Sequence, residues 1–159
     1  MRTLDASSII YAWDNYPIGK FPKLWQWLAR EIDKKNLSIP QVALEEVKQK
    51  LPECGGWLND VAIAKINVNN AILFEASQII GVLGIKDDNY HPDGVSENDV
   101  LIIATAKTEN LVLVSNESPQ VKNPQSNAKL KIPAVCKIPK VGVQCIDFLT
   151  LLNQSDETF

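Results

Sequence analysis

Leu111-Val112-Leu113-Val114-Ser115, followed at once by Asn116-Glu117, decides the reading of this chain. The run is aliphatic without polar alternation, the pattern of a strand buried on both faces, as in a parallel sheet. A parallel sheet requires helices between its strands, and the flanking sequence supplies them. Upstream, Ser96 opens Glu97-Asn98-Asp99-Val100-Leu101-Ile102-Ile103-Ala104-Thr105-Ala106, a helix with acids in its first turn, where the macrodipole favours them. At the N-terminus, Thr3-Leu4 reads as a strand end. Ser7-Ser8 then lead into Ile9-Ile10-Tyr11 and a helix, so Asp5 stands at the turn between them.

The rest of the chain alternates in the same way. Phe21 to Ile32 places Leu24, Trp25, Leu28 and Ile32 on one helical face, with Pro22 in the first turn. Leu37-Ser38-Ile39 is a short strand ended by Pro40, and Gln41 to Lys50 is a helix closed by Pro52. Gly55-Gly56 reads as a break, Trp57 to Ala64 as a short helix, and Asn67 to Gly84 as a long, mostly buried one. Lys86 to Gly94 and Ser118 to Lys131 are polar and rich in turn formers, and are expected to be surface loops, the second flexible. Ile132 to Cys136 is expected as a last edge strand because of its proline, and Ile146 to Leu152 as the final helix. The expected architecture is one α/β domain over residues 1–153 with a polar tail, 154–159.

Bulk properties narrow the function. The chain has 159 residues, 45% hydrophobic and 22% charged, enough for one domain with a sizeable core. A net charge of −3 excludes the broad cationic face that holds duplex DNA by charge alone. Cys54, Cys136 and Cys145 lack paired spacing, which argues against a disulfide framework or structural zinc and for buried reduced thiols. No secretory h-region and no membrane-length apolar stretch is read, so the expectation is a cytoplasmic protein without membrane contact.

Four acids stand beside apolar runs. Asp5 follows the first strand, Glu46 lies in the helix after the second, Asp99 opens a helix, and Glu117 follows the strongest strand. In a parallel sheet every strand ends at one edge, and ligands bind there. Carboxylates gathered at that edge cannot all stay ionised without a cation. The hard, oxygen-seeking choice is Mg²⁺ or Mn²⁺, which activates water and offsets charge on a phosphate. Each acid has a plainer role. Asp5 suits a helix N-cap, Glu46 beside Glu45 a solvated face, Asp99 a helix N-terminus, and Glu117 a turn.

These stretches resemble the motifs of the PIN-domain family, which includes VapC-type toxin ribonucleases, and within it a less characterised bacterial and archaeal subgroup. Leu4-Asp5-Ala6-Ser7 resembles the first motif, and Ile39-Pro40-Gln41-Val42-Ala43-Leu44-Glu45-Glu46-Val47 the second, in a register that favours Glu46 over Glu45. Asn98-Asp99 with Ile103-Ala104-Thr105-Ala106 resembles the third, and Leu113-Val114-Ser115-Asn116-Glu117 the fourth. The resemblance covers essentially the full chain. It implies an α/β/α sandwich on a parallel sheet of about five strands. It further implies a Mg²⁺- or Mn²⁺-dependent ribonuclease site of Asp5, Glu46, Asp99 and Glu117, supported by Ser7, Ser115 and Asn116. An RNA substrate, an antitoxin partner and a homodimer also follow from the family. Glu117 departs from the usual aspartate and has a longer stem.

Other residues are weighed more plainly. His91 reads as a solvated loop histidine. Trp25, Trp27 and Trp57 are candidates to stack bases, Trp25 is rather expected in the core from its amphipathic face, and Trp13 and Trp27 are alternatively candidates for an exposed contact surface. Lys122, Lys129 and Lys131, with Lys137 and Lys140, concentrate positive charge late in the chain and suit either an RNA backbone or a solvated loop. The rival functions are a non-catalytic PIN-fold module that binds RNA or protein, and a DNA nuclease or phosphatase on the same metal site.

Overall fold

The computed structural model describes residues 1–122 and 124–159. Five short strands form one parallel sheet: β1 (Arg2–Leu4), β2 (Leu37–Pro40), β3 (Ala64–Ile66), β4 (Val112–Val114) and β5 (Cys145–Ile146). Their spatial order is β3-β2-β1-β4-β5. Helices connect them: α1 (Ala6–Asn15), α2 (Pro22–Asp33), α3 (Gln41–Lys50), α4 (Pro52–Asp60), α5 (Asn70–Leu83), α6 (Glu97–Thr108), α7 (Ile132–Cys136) and α8 (Phe148–Asn153). Among the described residues no helix is long and apolar enough to cross a membrane.

β1 is the centre of the sheet and the point where the winding reverses. One route leaves it for β2 and β3, the other returns to β4 and β5 on its far side. The crevice at such a switch point lies beyond the carboxyl ends of the strands. Leu4 stands opposite Val114 across β1 and β4, so the residues that follow, Asp5 and Ser115, are brought side by side. Leu4, Leu37, Ile39, Leu113 and Val114 are all buried, as covering both faces of the sheet with helices demands.

Two expected elements differ. Ile132 to Cys136 is a helix, α7, and the edge strand is the two-residue β5, which pairs Leu113 with Cys145 and Val114 with Ile146. Pro133 falls in the first helical turn, where a missing N–H costs nothing. The helix expected from Trp57 to Ala64 begins instead at Pro52 and ends at Asp60. Ala62 then turns the chain with φ of 53°, and Ala64 enters β3. Gly55-Gly56 lies inside α4 and does not break it. A Cβ on Gly55 would stand 2.9 Å from the Lys48 Cα, so the glycine permits α3 and α4 to approach.

Within the polar stretch 118–131, Gln120 and the end at 128–131 are tied down. Gln120 donates to the Lys129 carbonyl at 2.9 Å and accepts from the Lys131 N–H at 3.0 Å. Gly94 lies so close to Ala128 that a Cβ there would sit 1.9 Å from the Ala128 carbonyl oxygen. Val95 N–H donates to the Leu130 carbonyl at 3.0 Å. The two polar loops therefore interlock beside the sheet edge.

The tryptophans are packing residues. Trp27 is 6% exposed, which corrects its expectation as a contact surface. Its ring meets Phe159 at 5.3 Å, so the tail covers it. Trp25 is buried, donates its indole N–H to the Tyr16 carbonyl at 2.7 Å, and packs edge-on against both Trp13 and Trp57. Burial pushes the Cys54 thiol up to about 12, as suits an unreactive core thiol.

Thr3 is fully buried in β1 and its hydroxyl has no hydrogen-bond partner among the described residues. Thr3→Val keeps the shape and removes the unpaired group. It is expected to stabilise the protein by about 1 kcal/mol. Urea unfolding would show this as a higher midpoint with an unchanged slope.

Candidate functional site

Asp5 occupies the N-cap position of α1, yet its carboxylate makes no capping bond. The Ser8 hydroxyl and N–H both turn to the Asp5 backbone carbonyl instead, at 2.7 and 3.1 Å. Asp5 N–H continues the sheet by donating to the Val114 carbonyl at 2.8 Å. The side chain is thereby directed towards the end of β4. There Asp5 Oδ2 accepts from both the Ser7 hydroxyl and, at 2.9 Å, the Ser115 hydroxyl. With their hydrogens committed to Asp5, the serine oxygens accept in turn. Asn116 N–H donates to Ser7 Oγ at 2.9 Å and Glu117 N–H reaches Ser115 Oγ at 3.4 Å. The helix-cap reading of Asp5 is thus replaced by a carboxylate held on one oxygen. Its Oδ1 has no hydrogen-bond partner among the described residues.

The other acids arrive from three further elements. Glu46 lies on the half-buried face of α3, and its Oε1 pairs with Lys50 Nζ at 2.6 Å, one turn on. Its neighbour Glu45 is exposed and takes a bond from Gln41 at 3.0 Å. Asp99 is the third residue of α6 and forms a reciprocal cap with Ser96. Ser96 N–H donates to Asp99 Oδ2 at 2.7 Å, and Asp99 N–H donates to Ser96 Oγ at 3.2 Å. Glu117 Oε2 accepts the first N–H of α7, from Ile132, at 2.9 Å.

All four acids border one open cavity of about 420 Å³ with Ser7 and Asn116. Asp14 and Lys50 border it too, and neither is among the residues singled out from the sequence. The signal was present in the spacing. Ser7, Ile10, Tyr11 and Asp14 share one face of α1, and Lys50 stands four residues after Glu46.

The acids feel one another. Burial pushes the Asp5 carboxyl above its ordinary 3.8. The two serine hydroxyls pull against that rise, and the negative charges of Asp99 and Glu46 add to it. Burial likewise raises Glu117, with Asp99 and Asp5 adding to the shift, while the Ile132 N–H and Lys131 oppose it.

The donor set is all oxygen and fits a hard divalent cation in kind. As placed, each acid is drawn to a local partner, and among the described residues no three acidic, histidine or cysteine side chains gather around a single ion position. His91 lies outside the cavity, in its loop, with Nδ1 accepting the Asp93 N–H at 3.1 Å. Of the late lysines, Lys131 is half-buried and near enough to Glu117 to lower its carboxyl. Lys122 and Lys129 are exposed, and none of the three lines the cavity.

The fold has solved relatives. The crystal structure of VapBC2 from Rickettsia felis, bound to a DNA fragment from their promoter, superposes with a TM-score of 0.56. The likeness covers 92% of this chain and 97% of that one at 19% identity, which speaks for the fold alone. With the all-parallel sheet between helices, it gives the α/β/α, PIN-like architecture. A mitochondrial choline dehydrogenase from Mus musculus is 34% identical over 83 residues, 52% of this chain but only 13% of that enzyme. The family described as domain of unknown function DUF4411 matches residues 3–159, and the chain belongs to that family.

Proposed function

We propose that the protein is a Mg²⁺- or Mn²⁺-dependent endoribonuclease and the toxin component of a toxin–antitoxin pair. One observation carries the reading. Asp5 is 3% exposed, raised in pKa and held through Oδ2, and it shares a cavity at the sheet's switch point with Glu46, Asp99 and Glu117. Clustered carboxylates of this kind destabilise a fold, and functional sites are where such costs are retained. The motif resemblance to VapC-type PIN toxins supports the reaction, and the structural likeness to VapBC2 supports the setting.

The chain would hold the cation with Asp5, Glu46 and Asp99, and Glu117 would assist. When bound, the cation would activate water and offset charge building on the scissile phosphate. Ser7 and Ser115 fix the Asp5 carboxylate by engaging a single oxygen. The cap with Ser96 does the same for Asp99 through Oδ2. Lys50 supplies a counter-charge to Glu46 beside the cavity. An antitoxin and a second copy of the chain are the partners this reading implies, and the cytoplasm is the setting.

Cleavage of structured RNA with and without Mn²⁺ tests the reaction, with Asp5→Asn and Asp99→Asn as comparisons. Activity that survives both substitutions sinks the mechanism, and a panel of DNA and phosphomonoesters separates the DNA nuclease and phosphatase readings. Metal binding has its own readout. At a hundredfold excess over Kd, a ligand specific to the native state adds about 2.7 kcal/mol of stability. Mn²⁺ is expected to raise the melting temperature of the wild type clearly and that of Asp99→Asn little. The non-catalytic module draws on the open spacing of the acids, and calorimetry without heat on Mn²⁺ addition would establish it.

A further inference from the structure

Beside the acid cavity lies a second one of about 380 Å³, and Asn116 and Glu117 form the wall common to both. Its volume falls in the range of about 300–1,000 Å³ typical of small-ligand sites. We propose that this second cavity is a nucleotide subsite that takes the residue of an RNA strand next to the scissile phosphate, with Lys137 as the positioning residue for its phosphate. The proposal rests on the ribonuclease reading.

Among the described residues lining this cavity Lys137 is the cation, while its two carboxylates, Glu117 and Asp147, each accept a backbone N–H, from Ile132 at 2.9 Å and from Thr150 at 2.7 Å. Lys137 lines it, is exposed, and has no carboxylate within ion-pair distance among the described residues, whereas Lys50 and Lys107 are tied to Glu46 and Glu75. Asn116 spends its carbonyl oxygen on the Phe148 N–H at 2.8 Å, and its amide NH₂ has no partner among the described residues. These two groups suit a phosphate and a sugar hydroxyl or base edge. Pro119, Pro133, Val143 and Ile146 supply an apolar side for a base face. The acid cavity repels a phosphate until a cation is present, so a cationic foothold next to it lets the strand arrive in register. Lys137 also borders a third cavity of about 310 Å³, in common with Pro119 and Pro133, so the trough continues away from the acids.

The test is fluorescence anisotropy of the full-length Asp5→Asn chain with a labelled single-stranded RNA oligonucleotide across a salt series. Lys137→Ala is expected to weaken binding about fivefold and to lower the salt slope by roughly 0.7, one phosphate contact on a single strand. Lys137→Arg is expected to restore both. Lys34→Ala, after α2 and ahead of the amino end of β2, is expected to change neither. Equal losses from Lys34→Ala and Lys137→Ala, or no loss from Lys137→Ala, overturn the subsite. Lys137-dependent binding by a protein whose wild type cleaves no RNA overturns the nuclease reading and leaves the subsite standing. Cleavage with wild-type kcat/KM by Lys137→Ala overturns the subsite and leaves the nuclease.

Discussion

Asp5→Asn is expected to melt at a higher temperature than the wild type at neutral pH while losing RNA cleavage by a factor of about 10³ or more. The stability change follows from the raised carboxyl. Its folded-state pKa lies above the ordinary 3.8, first because the group is buried and then because Asp99 and Glu46 are near. The folded protein therefore binds a proton more tightly than the unfolded chain between those two values. Stability falls as pH rises through that window, and above the folded pKa the whole penalty is present. Below about 3.8 both states are protonated and the penalty vanishes. Asparagine has no charge to desolvate, and its amide oxygen still accepts from Ser7 and Ser115. Thermal melts at pH 7 should separate the two proteins, and melts at pH 3.5 should bring them together. A wild type that is the more stable at pH 7 would refute the account. The activity loss has the scale of removing an interaction made in the transition state, several kcal/mol.

Gly94→Ala is expected to cost about 2–3 kcal/mol, at the upper end for overpacking, because the added Cβ would meet a backbone oxygen that no rotamer change can move. For a domain of this size that lowers the melting temperature by roughly 5–10 °C. The strain falls where the two polar loops interlock, one turn before α6 begins, so Asp99 should move with it. Gly94→Ala should therefore lose Mn²⁺-dependent stabilisation as well as intrinsic stability. The Gly84→Ala variant is a useful comparison: its φ of 69° penalises a side chain, but nothing lies within 4 Å and it does not border the acid cavity. It should lose stability alone.

The parts legible in the sequence are those with strong local chemistry. The β4 run, the Ser96–Asp99 cap and the turn at Asp5 each have a pattern that only one local structure satisfies. The residues around Asp5 were readable as neighbours because parallel strands end at one edge, and the register of Leu4 with Val114 places them there. What was missed is short. β3 and β5 have three and two residues, too few to show a period, and they exist because a neighbouring strand offers its edge. α7 spans five residues around a proline, and its first N–H is met by Glu117, fifteen residues away in sequence. Trp27 looked exposed because its cover, Phe159, is contributed by the tail. Asp14 and Lys50 reach the cavity through helical spacing, from Ser7 and Glu46 respectively.

The hydroxyl bond from Ser115 to Asp5 joins residues 110 positions apart, and β1 stays an unpaired ribbon on that side until β4 exists. During synthesis Asp5 emerges 110 residues before its partner. Until then a nascent chain carries Asp5, Glu46 and Asp99 without the arrangement that joins them. On the nuclease reading, activity requires β4, and truncations that stop short of Val112 should be inert however well their helices form.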